Sequence, residues 1–285
     1  MPGTLFIVAT PIGNLEDITQ RALRLLREVD LIACEDTRHT RKLLNHFGIG
    51  TATISYHEHN EQHRAEELCE LLESGKNVAL VSDAGTPLMS DPGFRIVNEA
   101  INRGIPLVPI PGASAAITAL STSGIPTDQF LFAGFLPART GARRAKLDEL
   151  REIPATLVFY EAPHRIGATL TDAMDVLGNR DAVIARELTK LHEEFARGSL
   201  SELVDRFSRS EAARGEMVLI ISGHGGSVAS SETTSREAQL RKRIDELQHE
   251  GLDQKTALKQ AAKELGLKRD EAYRVVVSQK NRRSK

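Results

Sequence analysis

"VALVSDAGTPLMSDPGF", residues 78–94, begins as an unbroken apolar run and breaks into small residues and prolines before any helical pattern starts. The run predicts a buried strand ending at Ser82. Gly85 permits close backbone approach in the loop that follows. Asp91 and Pro92 read as the N-cap and first turn of a helix that carries Phe94, Val97 and Ile101 inward.

On either side of this stretch, apolar runs at 4–9, 29–34 and 105–110 read as further strands, while 18–28, 61–74 and 92–103 show helical spacing. That alternation predicts an α/β domain over residues 1–124 with a largely parallel sheet. Two more small-residue loops follow strands, "TPIGN" at 10–14 and "PGAS" at 111–114. Three loops then share one sheet edge, and the crevice outside the carboxyl ends of parallel strands is where ligands bind. No Lys or Arg lies in 10–14, 82–91 or 111–115, and neither a G-x-x-x-x-G-K-[ST] nor a G-x-G-x-x-G pattern is present, so a polyphosphate is poorly served. Asp36, Asp83 and Asp91 beside backbone-exposing residues suit a nucleoside-like cation, a description that S-adenosylmethionine meets.

After "TSGIPTDQF" the pattern restarts. Strands near 130–134, 155–160, 181–186 and 216–222 interleave with helices at 139–151, 164–177 and 199–207, which predicts a second α/β domain over 125–223. A Gly/Ser/Thr stretch marks 224–235 as a linker. Residues 236–285 show three helical patterns, 236–249, 253–265 and 268–279, joined by short turns, and predict a small helix-turn-helix-like module. This tail holds 14 Lys/Arg against 8 Asp/Glu, a net of +6, leaving 23 against 31, a net of −8, for residues 1–235. Basic tails commonly meet nucleic acid.

The chain of 285 residues, 40% of them hydrophobic, has material for a core well above marginal size. No apolar run approaches the ~20 residues that span a bilayer, and no export signal opens the sequence, so no membrane partner is expected and the default compartment is the cytoplasm. Cys34 and Cys69 fall in apolar patterns and read as buried free thiols.

"LFIVATPIGNLEDIT", "ACEDTRHTRKLL", "VALVSDAGTPLMSDPG", "PIPGASA", "FYEAPHRI", "ARELTKLHEE" and "GEMVLIISG" follow one another across residues 3–223. In this order they resemble the tetrapyrrole methylase superfamily, the class III S-adenosylmethionine-dependent methyltransferases. "EDTR", "SDAGTPLMSDPG" and "EAPHRI" resemble the branch that methylates the 2′ oxygen of a cytidine in small-subunit (16S) ribosomal RNA, at the decoding centre. Met89 stands where that branch often has a β-branched residue, and Ala113 where proline is frequent. The resemblance implies two α/β domains with the cofactor in the cleft between them, a homodimer, and small-subunit ribosomal RNA, in the assembled subunit, as partner. It implies cofactor contacts at Pro11, Asp83, Ala84, Gly85, Thr86, Met89, Ser114 and Ala115, with Tyr160 and Glu161 at the edge of the adenosine.

Methyl transfer to a ribose hydroxyl needs an aligned oxygen and a group to take its proton. The candidates for catalysis are Asp36, His57, Glu161, Glu187 and Lys190, and Arg38, His164, Arg165 and Arg186 are the candidates for holding RNA. His57, His59 and His63 offer metal-like spacing, but no Asp or Cys completes a recognisable signature, so no metal is expected. Two other readings remain: methylation of a tetrapyrrole or another small molecule, and a ribosome-associated binding module without catalysis.

Overall fold

The computed structural model describes residues 1–208, 215–225, 240, 243–244, 246–248 and 252–265. The chain divides into two compact units, 1–222 and 223–285.

The first unit opens with β1 (Leu5–Val8), α1 (Gln20–Glu28), β2 (Leu31–Cys34), α2 (Thr37–His46), β3 (Thr53–Ser55) and α3 (Glu61–Glu73). β4 (Val78–Val81), α4 (Phe94–Asn102), β5 (Leu107–Ile110) and α5 (Ala115–Ser123) follow. The strands form one parallel sheet in the order β3-β2-β4-β1-β5. Alternate residues of β4 feed two cores. Ala79 and Val81 pack with Leu23, Leu26 and Leu44 of α1 and α2, whereas Val78 and Leu80 pack with Leu68, Leu72 and Ile96 of α3 and α4. A strand buried on both faces must be apolar throughout, which is why VALV carries no alternation. Cys34 and Cys69 are buried and free, as expected.

The helix after β4 departs from its expected start. Gly93, at φ 141°, occupies the cap position in place of Asp91. Each residue of helix advances about 100°, so the later start turns the face. Ile96 and Ala100 point inward, while Phe94 and Ile101 stand 74% and 59% exposed.

The second sheet is built from β6 (Phe130–Phe135), β7 (Thr156–Glu161), β8 (Asp181–Arg186), β9 (Glu194–Ser199) and β10 (Met217–Ile221), in the order β6-β7-β10-β8-β9. Only β6 and β7 run parallel. α6 (Thr140–Glu149), α7 (Ile166–Leu177) and α8 (Leu200–Ser208) cover one face. The other face receives α5 from the first half: Ala116, Ala119 and Leu120 pack on Val158, Val183 and Val218, together with Ile12 and Leu188. This shared apolar layer makes the two sheets one unit and fixes the cleft between them.

In the second unit, Leu240, Ile244 and Leu247 lie in helical turns and pack with Ala257, Ala261 and Ala262 of α9 (Gln254–Glu264). The linker, apart from its first two residues, and the helix expected at 268–279 lie outside the described residues. No described helix is long and apolar enough to cross a membrane.

Candidate active site

β1 and β4 are sheet neighbours whose outgoing connections lead to opposite sides, to β2 and to β5, the arrangement that opens a crevice beyond the strand ends. Thr10 and Gly85 bridge their two loops through the backbone, and the Thr86 hydroxyl donates to Ala113 O at 3.0 Å, joining the third. Over these loops stands a cavity of about 570 Å³, within the size range of small-molecule sites. Its other wall comes from the ends of β6, β7, β8 and β10.

Among the residues singled out from sequence, Asp83, Ala84, Gly85, Thr86, Met89, Ala115, Tyr160, Glu161, Glu187 and Lys190 line this cavity. Pro11 and Ser114 do not; Ile12 lines it from the first loop, and Ser114 caps α5. Asp36 and Arg38 also lie off the wall. Asp36 caps α2, accepting from Arg38 N at 2.8 Å, and pairs with the Arg38 guanidinium, which is 89% exposed; these hydrogen bonds pull its carboxyl below the usual range. The Asp36 amide nevertheless donates to Asp83 Oδ1 at 3.1 Å and so helps orient a wall residue. His57 is off the wall, its Nε2 3.2 Å from Asn60 Nδ2 and its buried Nδ1 without a partner.

The second-half candidates separate in the same way. Glu161 is 2% exposed and its carboxylate takes four donors: Ala162 N at 2.7 Å, Arg165 Nε at 2.8 Å, Arg165 Nη2 at 2.7 Å and Thr169 Oγ1 at 2.6 Å. Arg165 also donates to Leu136 O at 2.8 Å. This buried pair shapes the turn into α7, and neither member is free to take a proton or grip RNA. His164 is exposed and off the wall, and Arg186 pairs with Glu194, which also takes Arg206. Glu187 and Lys190 remain, joined at 3.0 Å, with Gly215 packed so closely that a Cβ there would stand 1.9 Å from Glu187 Oε1.

Sequence reading assigned no site role to Ser90, Phe135 or Glu216, and gave Asp91 a helix cap as well as a place in the acidic set; all four line the cavity. Burial pushes the Asp91 carboxyl up to about 6, and the charges of Glu35, Asp83 and Glu216 add to the rise. Burial, followed by the Asp83 charge, raises Glu35 as well. The positive-φ residues other than glycine are, among the described residues, Leu88, Ser90, Glu187 and Thr189. All four fall in the two segments that face each other across the cavity. Such backbone costs ~1–3 kcal/mol per residue and persists where surrounding structure imposes it, a common property of functional sites.

A family profile described as tetrapyrrole (corrin/porphyrin) methylases matches residues 4–204. The ribosomal RNA small subunit methyltransferase I of Halalkalibacterium halodurans is 48% identical over 96% of this chain and 94% of that protein. The chain belongs to this methylase family, in that branch. The protein of the same description from Escherichia coli O157:H7 is 47% identical over 97% of this chain and 96% of its own. A uroporphyrin-III C-methyltransferase from Thermus thermophilus, solved with S-adenyl homocysteine, shares the fold at TM-score 0.54, with 18% identity over 76% of this chain and 97% of that one. Members of the family are S-adenosylmethionine-dependent methyltransferases.

The cavity fits that cofactor. Its first-sheet wall carries no basic side chain from Asp83 to Thr86, and Lys190 is already neutralised by Glu187. Asp83, Asp91 and Glu216 favour a cationic sulfonium.

Proposed function

We propose that the protein transfers a methyl group from S-adenosylmethionine to the 2′ oxygen of a cytidine in small-subunit ribosomal RNA, at the decoding centre. The observation that carries the reading is the single cavity in which the Asp83–Thr86 loop faces Glu187 and Lys190, in a chain about half identical along nearly its whole length to small-subunit RNA methyltransferases. The assembled subunit is the substrate, the protein acts in the cytoplasm, and it works as a homodimer.

When bound, the cofactor supplies a methyl already activated by its sulfonium. The first-half loops hold it, with contacts from Asp83 to Thr86, Met89 and Ala115. Alignment of the acceptor oxygen then accounts for ~7–11 kcal/mol of the barrier. The wall carries five carboxylates, Asp83, Asp91, Glu161, Glu187 and Glu216, and a base for the hydroxyl proton works best with a pKa close to the working pH. Asp91 meets that condition, so it takes the proton, while Glu187 and Lys190 fix the ribose from the opposite side.

Incubation with methyl-labelled S-adenosylmethionine and, in parallel, small ribosomal subunits from cells lacking the protein or a tetrapyrrole tests this reading. Label in the RNA supports it. Label in a tetrapyrrole and none in RNA would put the small-molecule reading in its place.

A further inference from the structure

β6 loses its register against β7 in one step. Phe132 lies opposite Val158 and Phe135 opposite Tyr160, so three residues of β6 span two of β7. The extra residue makes a bulge, a device that re-aims side chains beside active sites. Gly134 takes the bulge at φ +63°, and a Cβ there would stand 2.9 Å from the Ser90 hydroxyl. Continued alternation would have set Gly134 opposite Tyr160; the bulge sets a phenyl ring there instead.

That ring lines the cavity yet remains 56% exposed. Tyr160 meets it edge-on, with centroids 5.6 Å apart and planes at 60°, and is itself held by Phe132 at 4.9 Å and 68°. Among the described residues no other ring stands against Phe135. A rigid aromatic, braced on one edge and open over the rest, at the mouth of a methyl-transfer cavity is chemically suited to a flat π surface. A ribose inside a stacked helix cannot bring its 2′ oxygen against loops at the bottom of a cleft, so its base has to leave the stack, and displaced bases are recovered by stacking on aromatic side chains.

Resting on the reading of RNA as acceptor, we propose that Phe135 is the platform on which the base of the acceptor nucleotide stacks, holding the ribose at the mouth of the cavity. The competing occupant of the ring is the adenine of the cofactor, and the test separates the two.

Methyl transfer to unmodified small ribosomal subunits is measured for Phe135→Ala, Phe135→Leu and Phe135→Tyr beside the parent, with cofactor affinity by calorimetry. Alanine and leucine should raise the KM for subunits about 5- to 150-fold, the range of one lost base–aromatic stack, while tyrosine restores it and all three bind S-adenosylmethionine as the parent does. The chain has no tryptophan, so Phe135→Trp adds a single fluorescent reporter, whose emission should not change with S-adenosylhomocysteine alone. Leucine acting as well as phenylalanine would overturn the proposal, since apolar packing would then suffice. Lost cofactor affinity, or quenching by S-adenosylhomocysteine, would assign the ring to adenine and overturn it too. A parent enzyme that methylates no subunits removes the RNA reading itself, an outcome distinct from an active parent with unaffected variants.

Discussion

Thr10 N donates to Gly85 O at 2.8 Å and Gly85 N returns a bond to Thr10 O at 3.1 Å, so the loops after β1 and β4 are tied to each other through their backbones. Gly85 makes this bond at φ +82°, while a Cβ there would meet nothing closer than Ile12 Cγ2 at 3.3 Å. Conformation rather than volume is what demands glycine. Gly85→Val should therefore lose cofactor affinity and ~1–3 kcal/mol of stability, with Gly85→Asn, which tolerates a left-handed backbone, losing less. Calorimetry and thermal unfolding check this ranking; valine binding the cofactor like glycine contradicts it.

Asp91 links the site to pH. Its folded pKa, about 6, lies above the ordinary value, so its charge destabilises the fold above pH 6 and has no effect below about 4, where it is protonated in both states. Asp91→Asn should raise the melting temperature of the free protein at pH 7–8, and the gain should vanish at pH 4. As the proton acceptor it must be ionised, so the parent's turnover should fall as pH drops below 6, by no more than about tenfold per unit. Asp91→Asn should remove that limb and lower turnover ~10²–10⁴-fold. An unchanged acid limb in the variant would move the base elsewhere, to Glu187 first.

Two neighbouring motifs should respond in opposite ways. Glu161→Gln leaves Arg165 buried against an uncharged partner, and loss of a buried pair member costs ~3–5 kcal/mol, so the protein should melt early. Lys190→Ala lies on the cavity wall, a third exposed, and should keep its melting temperature while losing transfer to subunits. Parallel melting and rate measurements check the contrast; a stable, inactive Glu161→Gln would return Glu161 to the chemistry.

Removing residues 223–285 leaves the unit that holds the cavity intact and takes away the net-positive tail. S-adenosylmethionine affinity should survive, while affinity for small subunits falls and its dependence on salt flattens, because fewer phosphate contacts release fewer counterions. An unchanged salt slope would make the tail something other than a phosphate-binding element.

How far these features were legible differed by residue. β4 and the loops at its end were readable because a doubly buried strand and its glycine-rich exit are local patterns. β9, "EFARGS", buries only Ala196 fully and pairs along one edge with β8, so it lacks the apolar run that marks a strand. α2 buries only Thr40 and Leu44 among ten residues, too little periodicity to read. The outward turn of Phe94 depended on Gly93 taking the cap, a two-residue shift invisible in composition. Glu161 ends β7 and Arg165 caps α7, so their pairing comes from the turn between strand and helix and has no helical spacing to announce it. Phe135 and Glu216 reach the cavity only because a bulge and an antiparallel neighbour carry them there, long-range facts with no local trace.

Transfer of a methyl group to a decoding-centre ribose is tested most directly by mass-spectrometric mapping of small-subunit RNA after incubation of subunits from cells lacking the protein with the purified protein and S-adenosylmethionine. One added methyl is expected on the ribose of a single decoding-centre cytidine, formed ~10²–10⁴-fold more slowly with Asp91→Asn. A methyl on a base, on another nucleotide, or no methyl at all would contradict it.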